Sequence, residues 1–300
     1  TRKESSAASD VYKRQLLFMC GVFLLLLAAC GSNDGSKEDS AKTKSNAEQT
    51  KSKKSKKDQK LEKEVAKLSE KQKLALAFCV EDVDRYTLTK NEILTGIYEY
   101  KLATGNKNFK LVDFKLVKYD DSIKNAPKGM NFYNVSPNKG NFEALIGVSN
   151  DKIFIGRMQS GSLDYKDLLG KGKEVKLIDV YKANKDNKAL PELTDKINIV
   201  DNLSKKDKEN NNPLSAEYLE KSGTVNTHFR NQVYQMISDF EGIAVGKTNY
   251  LWDDVKMVGH SGDWIVNYRN KDGEILGTYK TKNNKIIKLD ANGKVIKQEN

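Results

Sequence analysis

The sequence has few histidines and cysteines, the side chains that bind zinc most often. It contains two histidines, His228 and His260, and three cysteines in 300 residues. A structural zinc site takes four Cys, His or carboxylate ligands, usually in closely spaced pairs. Neither histidine has a second ligand nearby, and no loop shows the alternating oxygen ligands of a calcium site. The sequence therefore predicts no metal site, and no motif in it implies a cofactor.

Positive charge is plentiful but unevenly placed. The chain carries a net charge of +11, with lysine far more common than arginine. Residues 31–60 hold nine lysines against five acids, whereas residues 61–300 hold 39 basic and 34 acidic residues. The larger part of the chain is thus only mildly basic. We expect no nucleic-acid partner, since such partners usually call for a strongly basic domain.

Only one long hydrophobic run occurs, from Leu16 to Ala29. A membrane-spanning helix needs about 20 apolar residues, and this run has fourteen. The length is typical of the hydrophobic region of a secretory signal peptide, which runs about 7–15 residues. We therefore interpret residues 16–29 as an export signal.

The run ends in Leu27-Ala28-Ala29-Cys30. This string resembles the lipobox of bacterial lipoproteins of the Gram-positive type. The resemblance implies that a signal peptidase recognises Leu27, Ala28 and Ala29, cuts before Cys30, and leaves lipid on the Cys30 sulfur. Two acyl chains hold a protein stably on a bilayer. The expected location is the extracytoplasmic face of the cell membrane.

Two further segments flank this signal. Residues 5–15, SSAASDVYKRQ, resemble a translated sequencing-adaptor artefact, so we expect residues 1–15 to be a non-native leader. Residues 31–60 lack aromatic side chains and are almost wholly polar. Such a segment cannot offset its conformational entropy by burial, so residues 30–60 are predicted to be a disordered basic tether. As a random coil its ends would lie about 30 Å apart.

The chain beyond the tether has the patterns of an α+β fold. Apolar residues at helical spacing predict one helix over 61–80, which places Cys79 in the core. With Cys30 lipidated, Cys79 has no disulfide partner. Alternation and turn residues then predict a first domain over 61–200 with an antiparallel sheet. Its predicted elements are strands over 109–119, 130–135, 142–148 and 152–158, followed by a helix over 163–169.

A second module is predicted over 215–300, after a polar linker at 201–214. Phe229, Val233, Met236, Ile237 and Phe240 define an amphipathic helix that ends before Gly242. Short strands joined by Asn- and Gly-rich turns follow as a β-meander. The order resembles small cystatin-like or PepSY-like modules of bacterial envelope proteins, a likeness of architecture that implies no chemistry.

One sequence string suggests a catalytic alternative. Gly259-His260-Ser261-Gly262-Asp263 resembles the nucleophile elbow G-x-S-x-G, with Asp263 in place of the last glycine. An elbow lies between a strand and a helix, whereas a strand pattern follows this string, so a hairpin turn is the preferred interpretation. An envelope hydrolase using Ser261 and His260 stays open as an alternative.

Aromatic residues are the remaining candidates for function. Tyr and Trp can stack on a ligand or fill the core beneath a helix. We assign no catalytic residue and expect a non-enzymatic module that binds cell-wall polymer or another envelope protein. A solute-capture lipoprotein for a transporter is a second alternative, although the repeating βα pattern of such proteins is missing. The candidate binding residues are Tyr250, Trp252, Trp264, Tyr268 and Tyr279.

The lipid anchor can be tested directly. We expect Cys30→Ala to stay unlipidated, because no other thiol follows a lipobox. Phase separation in a cloud-point detergent should then move the protein from the detergent phase to the aqueous phase. A Cys79→Ala variant is the control and should remain in the detergent phase. Persistence of Cys30→Ala in detergent would contradict the prediction.

Overall fold

The computed structural model describes residues 56–102, 105–140, 142–158, 163–210 and 227–299. The fold is α+β, as the sequence predicts, and the described residues form helices and three sheets, one antiparallel pair of strands and two mainly antiparallel sheets of six strands. The predicted export signal, Cys30 and the predicted tether up to residue 55 lie outside the described residues. Within the described ranges, no helix combines the length and the apolar character needed to cross a bilayer.

We number the elements in chain order. The helices are α1 (Lys56–Val65), α2 (Glu70–Ala77), α3 (Lys90–Thr95), α4 (Tyr165–Leu169), α5 (Leu177–Asn184), α6 (Leu190–Asp195), α7 (Lys205–Asn210) and α8 (Thr227–Glu241). The strands are β1 (Ile97–Leu102), β2 (Gly105–Lys110), β3 (Lys115–Lys118), β4 (Asn131–Ser136), β5 (Glu143–Val148), β6 (Lys152–Met158), β7 (Gly172–Lys176), β8 (Ile199–Val200), β9 (Leu251–Trp252), β10 (Lys256–Val258), β11 (Asp263–Arg269), β12 (Ile275–Lys282), β13 (Lys285–Asp290) and β14 (Val295–Gln298).

The single helix predicted over 61–80 is two helices, α1 and α2. Helix α1 ends at Val65, and Ser69 is the N-cap of α2. The Ser69 Oγ accepts a hydrogen bond from the Gln72 backbone N–H, and the Gln72 side chain accepts one from the Ser69 N–H. Helix α1 also begins at Lys56, inside the segment predicted to be tether. Cys79 packs against the core as expected, and its burial raises the thiol pKa to about 11.

The first large sheet has the strand order β7-β6-β5-β4-β3-β8. Its β5–β6 hairpin turns at 149–151, which confirms the predicted hairpin. Alternate residues of β6 enter different cores: Ile153 and Ile155 pack beneath the N-terminal helices, whereas Phe154 packs in a smaller core with α4. The sheet is therefore covered on both faces, and only β3 and β8 run parallel.

Two predictions around this sheet need correction. The strand predicted over 109–119 is interrupted, because residues 109 and 110 belong to β2, which pairs with β1 in a separate two-stranded sheet, and the chain joins the large sheet only at β3. Val112 is consequently 46% exposed instead of facing the core. The linker predicted over 201–214 contains helix α7, and Ser204 caps its first turn. Asp207 of this helix forms an ion pair with Lys115 next to the sheet. Residues 211–214 lie outside the described ranges.

The second large sheet has the order β10-β11-β12-β13-β14, with β9 paired to β11. Helix α8 packs on one face through Val233 and Ile237, each 1% exposed, and ends before Gly242, as predicted. Met236, which the helical pattern assigns to the same face, is 38% exposed. The predicted meander is confirmed, but strands β9 and β10 were not expected from the sequence.

A buried arginine connects the second large sheet to helix α6, which packs in the core beneath the first. Arg269 at the end of β11 is 1% exposed. Its Nε and Nη2 donate to Asp253 at 2.5 and 2.9 Å, and its Nη1 and Nη2 donate to Glu192 of α6 at 2.8 and 2.9 Å. Nη1 also donates to the Gly273 carbonyl. All five N–H groups of the guanidinium are therefore satisfied, as burial of such a group requires.

These hydrogen bonds also determine the protonation of Arg269. Burial alone would lower the pKa of the guanidinium, but the bonds to Asp253 and Glu192 outweigh it and raise the pKa above its ordinary value. Asp254, next to Asp253, pairs with Lys110 instead, at 3.2 Å. The two adjacent carboxylates thus bind different cations and do not form an acid pair.

The turn after Arg269 docks on the N-terminal helices. Asn91 Nδ2 donates to the Lys271 carbonyl at 3.1 Å, and Asn187 Nδ2 donates to the Asp272 carbonyl at 3.0 Å. Gly273 has a φ of +87°, and a Cβ there would lie 2.6 Å from the Leu94 side chain. Only glycine meets both conditions, so the turn and α3 are closely packed here.

Removal of this arginine should destabilise the protein as a whole. We expect Arg269→Ala to lower the free energy of unfolding by about 3 kcal/mol, because it leaves the buried Asp253 carboxylate without its cation. Denaturant unfolding followed by tryptophan fluorescence measures this loss. Lys271→Ala is the matched control: it keeps the docked backbone and should change the stability by about 0.5 kcal/mol at most. Equal effects of the two variants would contradict the prediction.

Candidate functional site

Four of the five predicted aromatics meet at one end of the second large sheet. Trp252 of β9 lies directly opposite Tyr268 of β11. Tyr268 lies opposite Gly277, which places Tyr279, two residues further along β12, diagonally next to it. Opposite and diagonal neighbours share a sheet face, so the backbone register brings these rings together. Tyr250 approaches from just before β9. We call Tyr250, Trp252, Tyr268 and Tyr279 the aromatic patch.

The rings of the aromatic patch are in mutual contact. The ring centroids of Tyr250 and Tyr268 are 5.0 Å apart, and those of Trp252 and Tyr279 are 5.8 Å apart and nearly parallel. Tyr234 from α8 adds a further ring 5.3 Å from Trp252. Contacts at these distances favour a rigid arrangement of the rings. A ligand that stacks on them would therefore meet a surface that needs little reorganisation.

Exposure divides the aromatic patch into a floor and an outer part. Tyr268 and Tyr279 are 6% and 3% exposed and form the floor. Trp252 is half-buried, and Tyr250 is 41% exposed. Trp264, grouped with these residues on sequence grounds, lies near the other end of β11 and is 3% exposed in the core beneath α8. The expectation of an exposed binding ring is therefore corrected for Trp264, Tyr268 and Tyr279, which are buried, and it stays open for Tyr250 and Trp252.

An ion pair lies beside the floor of the aromatic patch. Lys288 of β13 is opposite Tyr279, and its Nζ is 5.3 Å from that ring centroid. The same Nζ is 3.2 Å from a carboxylate oxygen of Glu241. Burial, followed by the negative charge of Glu241, raises the pKa of Tyr279 above its usual range. The phenol is thus neutral at physiological pH, with charged hydrogen-bonding groups next to it.

The elbow-like string lies in a hairpin turn, as the preferred interpretation expects. It connects β10 to β11, so a strand follows Ser261 where an elbow needs a helix. Ser261 Oγ is 2.9 Å from an Asp263 carboxylate oxygen and accepts from the Asp263 N–H. In the described structure no hydrogen bond joins His260 to Ser261. This arrangement stabilises a turn and lowers the pKa of Asp263 through the Ser261 hydroxyl.

The described residues also bear on metals and on the transporter alternative. No group of three or more His, Cys, Asp or Glu residues in these ranges is placed to hold a metal ion. His228 is exposed on α8. Both large sheets are mainly antiparallel in the described ranges, and β3–β8 is their single parallel pair. The repeating βα units of many solute-capture proteins are thus not found there.

Sequence reasoning missed the charged partners of the aromatic patch. Glu241 ends the amphipathic helix, and Lys288 interrupts the apolar alternation of β13. A lysine at an inward position of a strand is an unusual pattern, since lysines are seldom buried without a partner. The inward position of Lys288 could therefore have indicated from the sequence that this lysine has an acidic partner. Its partner could not be identified, because Glu241 is distant in sequence.

Comparisons of the chain with known protein families, with curated proteins and with solved structures found no match.

The serine alternative has a direct test. We expect no labelling of the folded chain by a fluorophosphonate probe, because the Ser261 hydroxyl bonds to Asp263 and, in the described residues, to no histidine. Gel fluorescence after labelling measures this, with a known serine hydrolase as the positive control. Labelling that disappears in Ser261→Ala and persists in Ser204→Ala would instead support the hydrolase alternative.

Proposed function

We propose that this protein is a cell-surface lipoprotein without enzymatic activity that binds a cell-wall glycan through the aromatic patch. The observation that carries the proposal is the position of Tyr250. It is 41% exposed, yet its ring packs against both Trp252 and Tyr268. A large aromatic side chain that is already fixed at the surface can contact a ligand over a large area and loses little conformational entropy when the ligand binds.

The chemistry of the aromatic patch suits a sugar better than a purely apolar partner. Tyr and Trp rings combine an apolar face with a polar edge, which matches the apolar faces and hydroxyl edges of a pyranose. The Lys288–Glu241 pair beside the floor supplies a donor and an acceptor, and both side chains are about one-fifth exposed. This combination supports a glycan ligand. A protein partner is the competing possibility and gives a different outcome in the test below.

The lipobox-like string and the polar segment after it support the same proposal. Lipid on Cys30 would hold the protein on the outer face of the membrane. A tether of about 30 Å would let the folded part reach polymer close to that surface. Attachment keeps the local concentration of the site high, so weak binding of each sugar would be sufficient.

A pull-down on isolated cell walls tests this function. The full chain, solubilised in a non-ionic detergent, should sediment with the walls at both low and high salt, since stacking is little affected by ions. We expect Tyr250→Ala to weaken binding about tenfold through loss of its stacking face. Trp252→Phe, which keeps a ring but reduces its area, should weaken it less.

Met257→Ala is the matched control for this experiment. Met257 is 53% exposed on β10 of the same sheet, away from the aromatic patch. Its replacement should leave sedimentation unchanged. Binding that is lost at high salt, or equally weakened by Tyr250→Ala and Met257→Ala, would overturn the assignment of the aromatic patch. No sedimentation at either salt would remove the wall as the ligand and favour a protein partner.

A further inference from the structure

A second surface feature lies far from the aromatic patch, at the end of the first large sheet. It is a cleft of about 550 Å³ whose size is within the usual range of ligand sites. Three cationic side chains line it, and no Asp or Glu is among its described lining residues. The lining residues are Arg85, Tyr86, Phe142, Arg157, Gly170, Lys171 and Gly172.

The guanidinium of Arg157 is held in place within this cleft. Its plane lies over the Phe142 ring, with Cζ 4.0 Å from the centroid. Its Nε donates to the carbonyl oxygen of Arg85 at 3.0 Å, and its Nη2 donates to the same oxygen. These contacts use one edge of the guanidinium and leave Nη1 without a partner among the described residues. The side chain is thus oriented before any ligand binds.

The other cations are placed against Arg157 by the backbone. Arg157 N–H donates to the Lys171 carbonyl, so these residues face each other at the end of the β6–β7 pair. Like charges directly opposite on neighbouring strands are destabilising. Arg85 contributes a third positive charge, and none of the described carboxylates forms an ion pair with Arg85 or Arg157. The two arginines therefore bring positive charge to the cleft with which no described carboxylate forms an ion pair.

The use of arginine at this place is selective. The chain has 46 lysines and six arginines. Four arginines fall in the described ranges: Arg269 is the buried connection between the second sheet and α6, Arg230 packs on Tyr234, and the other two line this cleft. Arginine differs from lysine in offering a planar fork that matches the oxygens of phosphate and carboxylate. Two such forks in one cleft point to an oxyanion ligand.

We propose that this cleft binds a phosphate group, either as the free ion or as an ester. A carboxylate brings one negative charge, whereas a phosphate monoester brings −1.5 to −2 and three acceptor oxygens. The phosphate suits a cleft lined by two arginines and a lysine better. Gly172 is fixed by packing on the other face of the sheet, because a Cβ there would lie 2.6 Å from the buried Phe154 ring. Phe142 and Tyr86 would contact the apolar part of an ester.

Isothermal titration calorimetry of the full chain in a non-ionic detergent tests this proposal. The probes are inorganic phosphate and glycerol 3-phosphate, with potassium chloride at equal ionic strength as the blank. We expect saturable binding of at least one phosphate probe. In a separate arm, sedimentation with phosphatidylglycerol vesicles, compared with phosphatidylcholine vesicles, shows whether the phosphate of a lipid headgroup is the source instead.

Arg85→Ala is the most informative variant. It removes one guanidinium but keeps the backbone carbonyl that orients Arg157, so the fold should be unaffected. We expect it and Arg157→Lys each to weaken binding about tenfold or more, since lysine keeps the charge but loses the fork. Arg230→Ala removes the same charge outside the cleft and should bind as the wild type does. Thermal unfolding of each variant verifies that it is folded.

The outcomes separate clearly. If binding of a soluble phosphate probe depends on Arg85, the cleft is assigned to a free or esterified phosphate. If only the binding of phosphatidylglycerol vesicles depends on Arg85, it is assigned to a lipid headgroup. Binding that falls equally in Arg230→Ala would reflect net charge alone and would overturn the proposal. So would the lack of saturable binding in every arm. Neither result would bear on the proposed glycan binding by the aromatic patch, which is tested with different variants.

Discussion

The architecture depends on one buried cation. Arg269 lies at the end of β11 and is enclosed by Asp253, which follows β9, and by Glu192 of helix α6. A buried ion pair contributes little net stability compared with apolar packing, but it is costly to break on one side. It also accepts only one geometry, because each N–H of the guanidinium needs its own acceptor. The second sheet is thus held against α6 by the directionality of hydrogen bonds, in addition to apolar contact.

This connection explains how the two candidate sites are placed. The aromatic patch lies on the α8 side of its sheet, whereas Arg269 projects from the other face of β11 toward α6. Alternation along a single strand therefore separates the binding surface from the structural contact. The phosphate cleft lies at the far edge of the first sheet, where β6 and β7 pair. The aromatic patch and the cleft each use a part of their own sheet that is not fully covered by the core.

Local patterns predicted much of this fold. The β5–β6 hairpin and helix α8 were foreseen because each has a clean period and clear turn or cap residues. The break at Ser69 was missed because the apolar period continues through the capping box. The partner of Arg269 could not be foreseen, since Glu192 lies in a different predicted domain. For the aromatic patch, composition suggested the residues, but only the β9–β11 register shows that Trp252 joins Tyr268 while Trp264 does not.

The parallel pairing of β3 with β8 has a consequence for how the chain folds. Leu116 lies opposite Ile199, so this edge of the sheet joins segments that are remote in sequence. Such pairings close late, because the entropy of a long loop must be overcome before the contact forms. Until Ile199 arrives, β3 presents an open edge that another extended chain could occupy. Slow completion of this edge would make the partly folded chain prone to association with other copies of itself. Chaperones that bind extended segments would therefore be most useful at this stage.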